Sequence, residues 1–525
     1  MRRRTALFAL LGAASVSVAV GAQAAGSPNQ AAFGAPYGGF AAYHGQRLKL
    51  EPTVPAQNKA IAYSGRKLVL AESYVGRKAA EPTLGVDKKG DVYTVAAAFD
   101  AIPGNPPKNE PRTFVMRSTD GGRTFKDDSP NLAGLRTQNI STDPYIYVDS
   151  DTGRVFDIDL QGLNGAHLSY TDDGGKTWTE SLLTTAGAND HQTLVAGPAP
   201  EGSLLPLTDP KFQKVLYYCT NAVTWGSCAR SFDGGHTFIQ SNTSGFTTVD
   251  PTSLVTLDGN HNEGVCGQLH GHAVTDRLGR LFIPRGYCSI PMIAISSDAG
   301  NSFHDVKVAD IPISGEQASV AVDKAGNLYY TWYGGLHAPL PYLSISRDHG
   351  EHWSTPIMIA PPGVHEVNFP TIDVGDPGKI AITFPGTTSD GGTKDKTRPW
   401  NSYVVVSTDA LSADPLFLSN IANPKNDPVA RGDCSDRCGR MYDFLDIVSA
   451  PGDHGRVFAT AVDTCTAVLS CNSKRVKGNE EDADIVTEET NHPYGASADM
   501  QGVIIREVSG PALRGSGWIA QDAPR

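Results

Sequence analysis

The sequence has few of the features that mark helical, membrane-spanning or nucleic-acid-binding proteins. After the N-terminal segment, no apolar run reaches the roughly 18 residues of a spanning helix. Charged residues make up only 19% of the 525 residues, and the formal net charge of -12 disfavours nucleic acid and anionic membranes as partners. Long helical periodicities are also scarce, whereas 55 glycines and 35 prolines indicate many short strands and turns.

The N-terminal segment is typical of a secretory signal peptide. Arg2, Arg3 and Arg4 precede an apolar run from Ala6 to about Val20, and Ala22-Gln23-Ala24 is an A-x-A cleavage pattern. A membrane anchor is the alternative, and the three arginines could also serve a twin-arginine route, although the rest of that motif is missing. We expect a signal peptide at 1–24 and a secreted or periplasmic protein with a leader at 25–66, a repeat domain at 67–510 and a tail at 511–525.

The eight cysteines fall into four sequence-local pairs, which predicts disulfides in an exported chain. The pairs are Cys219 with Cys228, Cys266 with Cys288, Cys434 with Cys438, and Cys465 with Cys471. Proximity alone suggests this pairing, because eight cysteines allow 105 connectivities. No Cys-x-x-Cys motif is present, and the spacing of Cys434 and Cys438 is the nearest approach to a zinc site.

An eight-residue phrase, S/T-x-D-x-G-x-x-F/W, recurs along the chain and predicts a repeat architecture. Its five copies begin at Ser118, Thr171, Ser231, Ser296 and Ser346, and a sixth at Ser407 lacks the glycine. We expect each copy to form a hairpin turn whose Ser or Thr and Asp cap backbone N–H groups, whose Gly adopts a conformation closed to other residues, and whose aromatic ring packs on its own blade. The five aspartates lie 53, 60, 65 and 50 residues apart, as in a repeat protein.

A second phrase between these turns predicts an inner hairpin in each repeat, with an apolar strand, a tight Asp/Gly turn and another apolar strand. It starts near Pro82, Pro144, Asp190, His272, Ser319, Pro370 and Phe444, and a final strand follows near Val503. Seven hairpins predict an all-β protein built as a seven-bladed β-propeller, with six blades as the alternative. Radial repetition suits short strands because it leaves only short sheet edges.

The turn phrase resembles the Asp-box, or BNR repeat, of sialidases and related β-propellers. The order of the inner strands is also similar to theirs. Ala80-Glu81-Pro82 stands where that family has Arg-Ile-Pro, and residues 279–284, Gly-Arg-Leu-Phe-Ile-Pro, resemble its Gly-Arg-Leu-x-x-Pro strand. Tyr442, beside Asp443, stands at the position of the sialidase nucleophile. The resemblance covers most of residues 67–507 and implies a sialidase-like fold.

The resemblance stops at the carboxylate clamp of sialidases. Sialidases hold the carboxylate of their substrate with three arginines, because a planar guanidinium can donate two parallel hydrogen bonds to it. Here Ala80 takes the first arginine position, and the neighbouring Glu81 would repel a carboxylate. Arg285 follows the Ile-Pro strand at a place that differs from the family's arginines. We therefore expect a sialidase-like propeller that does not hydrolyse ordinary sialosides.

Polar residues just before the inner strands predict the functional site, because these strand starts converge at one end of a propeller's channel. The catalytic candidates are His191, His270, His272, Glu316, Tyr442 and Asp443, and the binding candidates are Glu81, Asp143, Asp190, Arg285, His365 and Asn368. Alternation along a strand turns His270 and His272 to the same side. Neutral imidazoles beside carboxylates suit a divalent metal ion, whereas a protonated imidazole suits acid catalysis. A wet polar channel without function is the alternative to both.

Three functions stay open at this point. The first is a carbohydrate-active enzyme, a glycoside hydrolase or polysaccharide lyase that acts on a glycan or another small polar ligand at the channel mouth. The second is a non-catalytic propeller that binds a glycan or protein or assists assembly, and the third is a metal-dependent hydrolase of another substrate. The acidic segment 472–499 lacks the spacing of an EF-hand and is a solvated loop or a calcium loop.

Overall fold

The chain forms a seven-bladed β-propeller, as the seven inner hairpins predict. The computed structural model describes residues 40–43, 46–49, 54–55, 67–76, 79–98, 112–130, 143–160, 165–181, 190–221, 226–240, 270–287, 290–314, 318–334, 339–389, 398–424, 427–431, 444–463 and 501–520. Within these ranges, no helix has the length and hydrophobicity needed to cross a membrane.

The strands follow one another from the channel outwards in each blade. Before the first blade lie β1 (Phe40–Tyr43), β2 (Gln46–Lys49), β3 (Val54–Pro55) and β4 (Val69–Tyr74). Blade 1 holds β5 (Ala80–Val86), β6 (Val92–Ala98), β7 (Arg112–Ser118) and β8 (Lys126–Asp127); blade 2 holds β9 (Pro144–Val148), β10 (Val155–Leu160), β11 (Ala166–Thr171) and β12 (Thr179–Glu180). Blade 3 holds β13 (Asp190–Gly197), β14 (Val215–Asn221), β15 (Gly226–Ser231) and β16 (Ile239–Gln240); blade 4 holds β17 (Val274–Thr275), β18 (Leu281–Tyr287), β19 (Ile290–Ser296) and β20 (His304–Lys307).

The last three blades keep this order with additions. Blade 5 holds β21 (Ser319–Val322), β22 (Leu328–Gly334), β23 (Leu340–Ser346) and β24 (Ile357–Met358). Blade 6 holds β25 (Glu366–Val367), β26 (Thr371–Val374), β27 (Ile380–Thr387), β28 (Pro399–Ser407), β29 (Leu418–Ile421) and β30 (Ala430–Arg431). Blade 7 holds β31 (Ile447–Ser449), a 3-10 turn (Asp453–Gly455), β32 (Val457–Asp463), β33 (Gln501–Pro511) and β34 (Trp518–Ile519).

Two strands from the N-terminal part of the chain are added to the sheets of blades that come much later in the sequence. β4 pairs antiparallel with β33, so the start of the repeat domain supplies an outer strand of blade 7 and closes the ring. β3 pairs in parallel with β24 of blade 5, although it lies in the expected leader. At the other end, Gly510 and Pro511 pair with Ile519 and Trp518, so the last sheet takes in part of the expected tail.

The recurring phrase forms the turn between the third and fourth strands of its blade. In blade 2, the Thr171 hydroxyl donates to Asp173 Oδ1 at 2.8 Å and accepts the N–H of Gly175 at 3.0 Å. The N–H and hydroxyl of Thr177 donate to the two oxygens of Asp173 at 2.9 and 2.6 Å. Blades 1, 3, 4 and 5 repeat this network, and the sixth copy keeps the hydrogen bond from Ser407 to Asp409.

These turns also join neighbouring blades. Arg230 of blade 3 donates to the carbonyl of Ala299 in the blade 4 turn at 2.8 Å, and Arg154 of blade 2 donates to Gly234 O of blade 3 at 2.7 Å. The aromatic ring of each turn packs in the core between its own blade and the preceding one, as Phe238 does beside Phe156 of blade 2. The turns therefore contribute to the packing between blades, beyond the single blade that the sequence suggests.

Of the four expected disulfides, the one between Cys219 and Cys228 is present, and it joins β14 to β15 at directly opposed positions. The other six cysteines and the acidic segment 472–499 lie outside the described residues.

Candidate functional site

A ring of short polar side chains aligns the inner strands around the channel. Thr83 accepts the N–H of Ile146 in the next blade at 2.9 Å, and Thr193 accepts that of Ala273 at 3.0 Å. In the same way, Ser319 accepts the N–H of Ile372 and Asp446 that of Leu84. The four bonds link blades 7, 1 and 2, blades 3 and 4, and blades 5 and 6. Each acceptor, or the residue just before each donor, belongs to one level of the inner strands. We name this level the inner ring: Thr83, Tyr145, Thr193, His272, Ser319, Thr371 and Asp446.

A second ring of residues lies nearer the strand starts. Each of its members precedes an inner-ring residue by two positions in the sequence. We name it the mouth ring, and in the described residues it consists of Glu81, Asp143, His191, His270, Phe369 and Phe444. All six are buried, with at most 6% of their surface exposed. Four of the six are residues that the sequence singled out as site candidates. The strand starts therefore do converge, as expected for a propeller.

The backbone of the mouth ring is strained at three equivalent positions. Glu81 and His191 both have φ of 50°, and Phe369 has φ of 41°. The first two lie in β-bulges, where the pairing register shifts between Ala80 and Thr83 and between Asp190 and Thr193. Non-glycine residues in the left-handed region cost free energy and persist where the surrounding structure imposes them, often at functional sites.

Three imidazoles gather at the mouth. The ring centroid of His191 lies 6.0 Å from that of His270 and 6.5 Å from that of His272, so the two histidines of blade 4 do face the same neighbour. Phe444 reaches them from blade 7, with its centroid 5.2 Å from His191 and 5.3 Å from His272. Tyr145 of blade 2 meets the other side of His272 edge to face at 4.7 Å. Side chains from four blades thus meet on the channel axis.

Burial keeps at least two of these imidazoles uncharged. Burial, and then the neighbouring His191, lower the pKa of His270 to about 3. The same causes, with His270 as a further neighbour, hold the pKa of His272 well below its usual value. Both rings are therefore neutral near pH 7, where they can hydrogen-bond and pack but are weak bases.

Carboxyl groups lie at both levels of the site. Asp143 in the mouth ring accepts the N–H of His191 at 3.4 Å, which links blade 2 to blade 3. In the inner ring, burial raises the pKa of Asp446 to about 7, although its two oxygens accept the N–H groups of Leu84 and Ile447. Two residues beyond the inner-ring residue Thr371 lies Asp373. Burial also raises the pKa of Asp373, which accepts the N–H of Ser449 at 2.6 Å.

A polar cavity of about 250 Å³ continues along the axis from the inner ring towards the opposite face. Its walls carry His272, Asp373 and Asp446, and Arg514 lies at its far end. The guanidinium of Arg514 donates to the carbonyl of Ala450 at 3.0 Å, so the C-terminal segment packs against blade 7 there.

The remaining described candidates border the mouth ring: Arg285 pairs with His270 through the backbone, and Asp190 and Asn368 directly precede His191 and Phe369. Arg285 forms an ion pair of 2.5 Å with Asp305 on the outermost strand of blade 4. His365 is exposed, whereas Asn368 is buried and its side chain accepts the N–H of Phe369 at 3.1 Å. For Asp190 the structure describes the backbone pairing alone, and Glu316, Tyr442 and Asp443 lie outside the described residues.

The sequence does not single out several residues that line the candidate site. Tyr145 and Phe444 lie in the inner strands that the sequence predicts, where an aromatic ring gives no sign of a site because such rings usually belong to a core. Asp373 and Asp446 carried a detectable signal, since each is an acidic residue inside an otherwise apolar strand. In the described part of the chain, no group of three or more His, Cys, Asp or Glu side chains is arranged to hold a metal ion.

Comparison with known proteins gives one curated relative and a series of similar structures. No family model matches the chain. A sialidase of Micromonospora viridifaciens is 30% identical over 206 residues, which cover 35% of this chain and 28% of that protein. The chain thus spans little more than a quarter of the length of that relative.

Among solved structures, the similarities are distant. The intramolecular trans-sialidase from Ruminococcus gnavus is 15% identical, with a TM-score of 0.36 over 77% of this chain and 94% of the other. The α-L-arabinanase of Penicillium chrysogenum is 11% identical, with a TM-score of 0.39 over 84% of this chain and 97% of the other. Likenesses of this strength transfer neither a ligand nor a reaction to this chain.

Proposed function

We propose that this protein is an exported, Asp-box-type propeller that binds a glycan at the channel mouth and hydrolyses a glycosidic bond there. The observation that carries the proposal is the mouth ring, where polar side chains of several blades converge and non-glycine residues of three blades are held in the left-handed region. Strain of this kind at equivalent positions of the ring is not needed for closing the propeller, because Asp143 and His270 occupy the same level without it. The partial similarity to a curated sialidase supports a carbohydrate ligand.

The chemistry available at the mouth favours hydrolysis over elimination. Glycoside hydrolases use two carboxyl groups, one of which donates a proton to the leaving oxygen. Glu81 and Asp143 are the described carboxyls of the mouth ring, and Glu316, Tyr442 and Asp443 are the candidates outside the described residues. A lyase needs a strong base, and His270, with a pKa lowered to about 3, is a poor one. The imidazoles therefore serve to orient sugar hydroxyls.

Non-catalytic glycan binding is the second candidate. The neutral His272, together with the rings of Tyr145 and Phe444, offers hydrogen bonds and apolar surface without charge. Such a combination is typical of small-molecule sites in which a few polar groups fix orientation.

The experiment is a panel of oligosaccharides incubated with the mature protein, with product release and binding measured in parallel. We expect turnover by the wild type, loss of turnover in His272→Ala and Glu316→Gln, and unchanged turnover in His304→Ala, a control on the exposed outer strand of blade 4. Thermal unfolding of each variant shows that it is folded. Binding without turnover supports the second candidate, and the absence of both would overturn the proposal.

A further inference from the structure

Blade 6 carries a buried ion pair beside the mouth ring. β25 pairs with the C-terminal end of β27. Blade 6 therefore has an additional inner strand, which lies just before Phe369 in the chain. Glu366 lies in β25, and Arg398 immediately precedes β28 at the same end of the blade. Arg398 Nη2 lies 2.6 Å from Glu366 Oε2, and the side chains are 1% and 4% exposed.

This pair has hydrogen-bonding capacity that the described residues do not use. Nε and Nη1 of Arg398 and Oε1 of Glu366 are buried and have no hydrogen-bond partner in the described ranges. Arg154, which is 2% exposed, shows the contrast. Its three nitrogens donate to Asp172, Asp209 and the carbonyl of Gly234. Every guanidinium nitrogen of Arg154 thus has a partner, whereas two of the three in Arg398 have none in the described part of the chain, and leaving buried charged groups without partners is costly.

We propose that Arg398 and Glu366 form a subsite that recognises neighbouring hydroxyl groups of a neutral sugar. The inference rests on the proposed glycan function and specifies its substrate class. A hydroxyl group can accept a hydrogen bond from Arg398 and can donate one to Glu366. Two adjacent hydroxyls can therefore bond the unpaired nitrogens of Arg398 and the unpaired oxygen of Glu366. A carboxylate cannot donate, and Glu366 already compensates the charge of Arg398 and would repel a second anion. The subsite therefore selects uncharged sugars over acidic ones.

Position supports this assignment. Glu366 is three residues from Phe369, whose left-handed backbone belongs to the strained mouth ring. Between them, the side chain and N–H of Asn368 are both engaged, the latter with the carbonyl of Pro385 at 3.0 Å, so the segment is held firmly. Along β27, Glu366 pairs with Thr387 and Thr371 pairs with Thr383, so the ion pair lies at the mouth end of blade 6.

The test is calorimetric titration with two probes, the neutral oligosaccharide that binds best in the panel and its uronic acid counterpart. We expect Glu366→Gln to weaken binding of the neutral probe at least tenfold and to strengthen binding of the acidic probe, because the charge of Arg398 is no longer compensated. The double variant Arg398→Met/Glu366→Leu leaves no unpaired buried charge, and we expect it to fold and to lose the neutral probe. The control Arg154→Met lowers stability but keeps the affinity.

Several results would overturn the inference. If the Glu366 and double variants bind the neutral probe as the wild type does while His272→Ala does not, the proposed function stands and the subsite is refuted. A wild type that prefers the acidic probe, or a crystal structure of the complex in which only water reaches Arg398, refutes it equally. If the wild type binds no glycan at all, the proposed function fails and this inference fails with it.

Discussion

Replacing Gly235 by alanine tests whether the recurring turns hold neighbouring blades together. Gly235 has φ of +98°, and a Cβ at this position would lie 2.8 Å from Phe156 Cε1 and 3.2 Å from Leu216 Cδ2. Phe156 belongs to the preceding blade and is fully buried, so its ring cannot move away freely. The substitution therefore introduces both backbone strain and a clash between blades.

Gly90 offers a matched control. It has φ of +87° in the inner hairpin turn of blade 1, and a Cβ there would have no heavy atom within 4 Å. Gly90→Ala should therefore cost only the left-handed strain of an L-residue, roughly 1 to 2 kcal/mol. Gly235→Ala should add an overpacking cost of about 1 to 3 kcal/mol. The difference between the two variants isolates the contact between blades.

The assay is urea unfolding of the wild type and both variants, followed by tryptophan fluorescence and circular dichroism. We expect Gly235→Ala to unfold at clearly lower urea than Gly90→Ala, with the same slope. Equal loss of stability in the two variants would show that the turn tolerates the added methyl group and that its contact with blade 2 does not matter.

Four further outcomes are expected. Asp173→Ala removes the hydrogen bonds that cap its turn and should cost about 1 to 2 kcal/mol of stability without changing activity per folded molecule; lost activity at unchanged melting temperature would contradict this. Replacing Cys219 and Cys228 by serine opens a short loop and should cost about 2 to 3 kcal/mol while the fold is kept, as read from thermal unfolding. A fluorogenic sialoside should release no sialic acid at an enzymatic rate, and steady release would refute the missing clamp. Burial raises the pKa of Asp446 from 3.8 and that of Glu507 from 4.5 to about 7, so the folded state binds more protons than the unfolded state between these values. The stability contributed by these two groups should therefore fall as pH rises from about 5 to about 7.5 and then level off; Asp446→Asn should flatten this slope, and an unchanged slope would contradict the assignment.

Local sequence was sufficient to predict the blades but not their closure. Each inner hairpin carries its own apolar strands and Asp/Gly turn, so all seven could be found independently. The pairing of Tyr74 with Val503 has no local signal, because the contact joins residues more than 400 positions apart and any exposed strand edge could have accepted β4. The sequence therefore places the start of the repeat domain near residue 67 and a final strand near Val503, and the pairing of the two is seen only in the structure.

The candidate site was likewise predictable within single strands but not between blades. Alternation along one strand was enough to place His270 and His272 on the same side. The approach of Phe444 from blade 7 and the pairing of Arg398 with Glu366 depend on how the blades and their strands are arranged in space. The bulges that strain Glu81 and His191 are also products of tertiary packing, because neither residue favours a left-handed backbone on its own.

The most direct test of the central claim is a crystal structure of the protein with the oligosaccharide that binds best. We predict that a sugar ring lies at the channel mouth, with its hydroxyls within hydrogen-bonding distance of the mouth-ring carboxyls Glu81 or Asp143 or of the blade 6 pair of Glu366 and Arg398. A sugar bound on the outer strands or at the opposite face, with the mouth ring unchanged and in contact with water alone, would contradict the account.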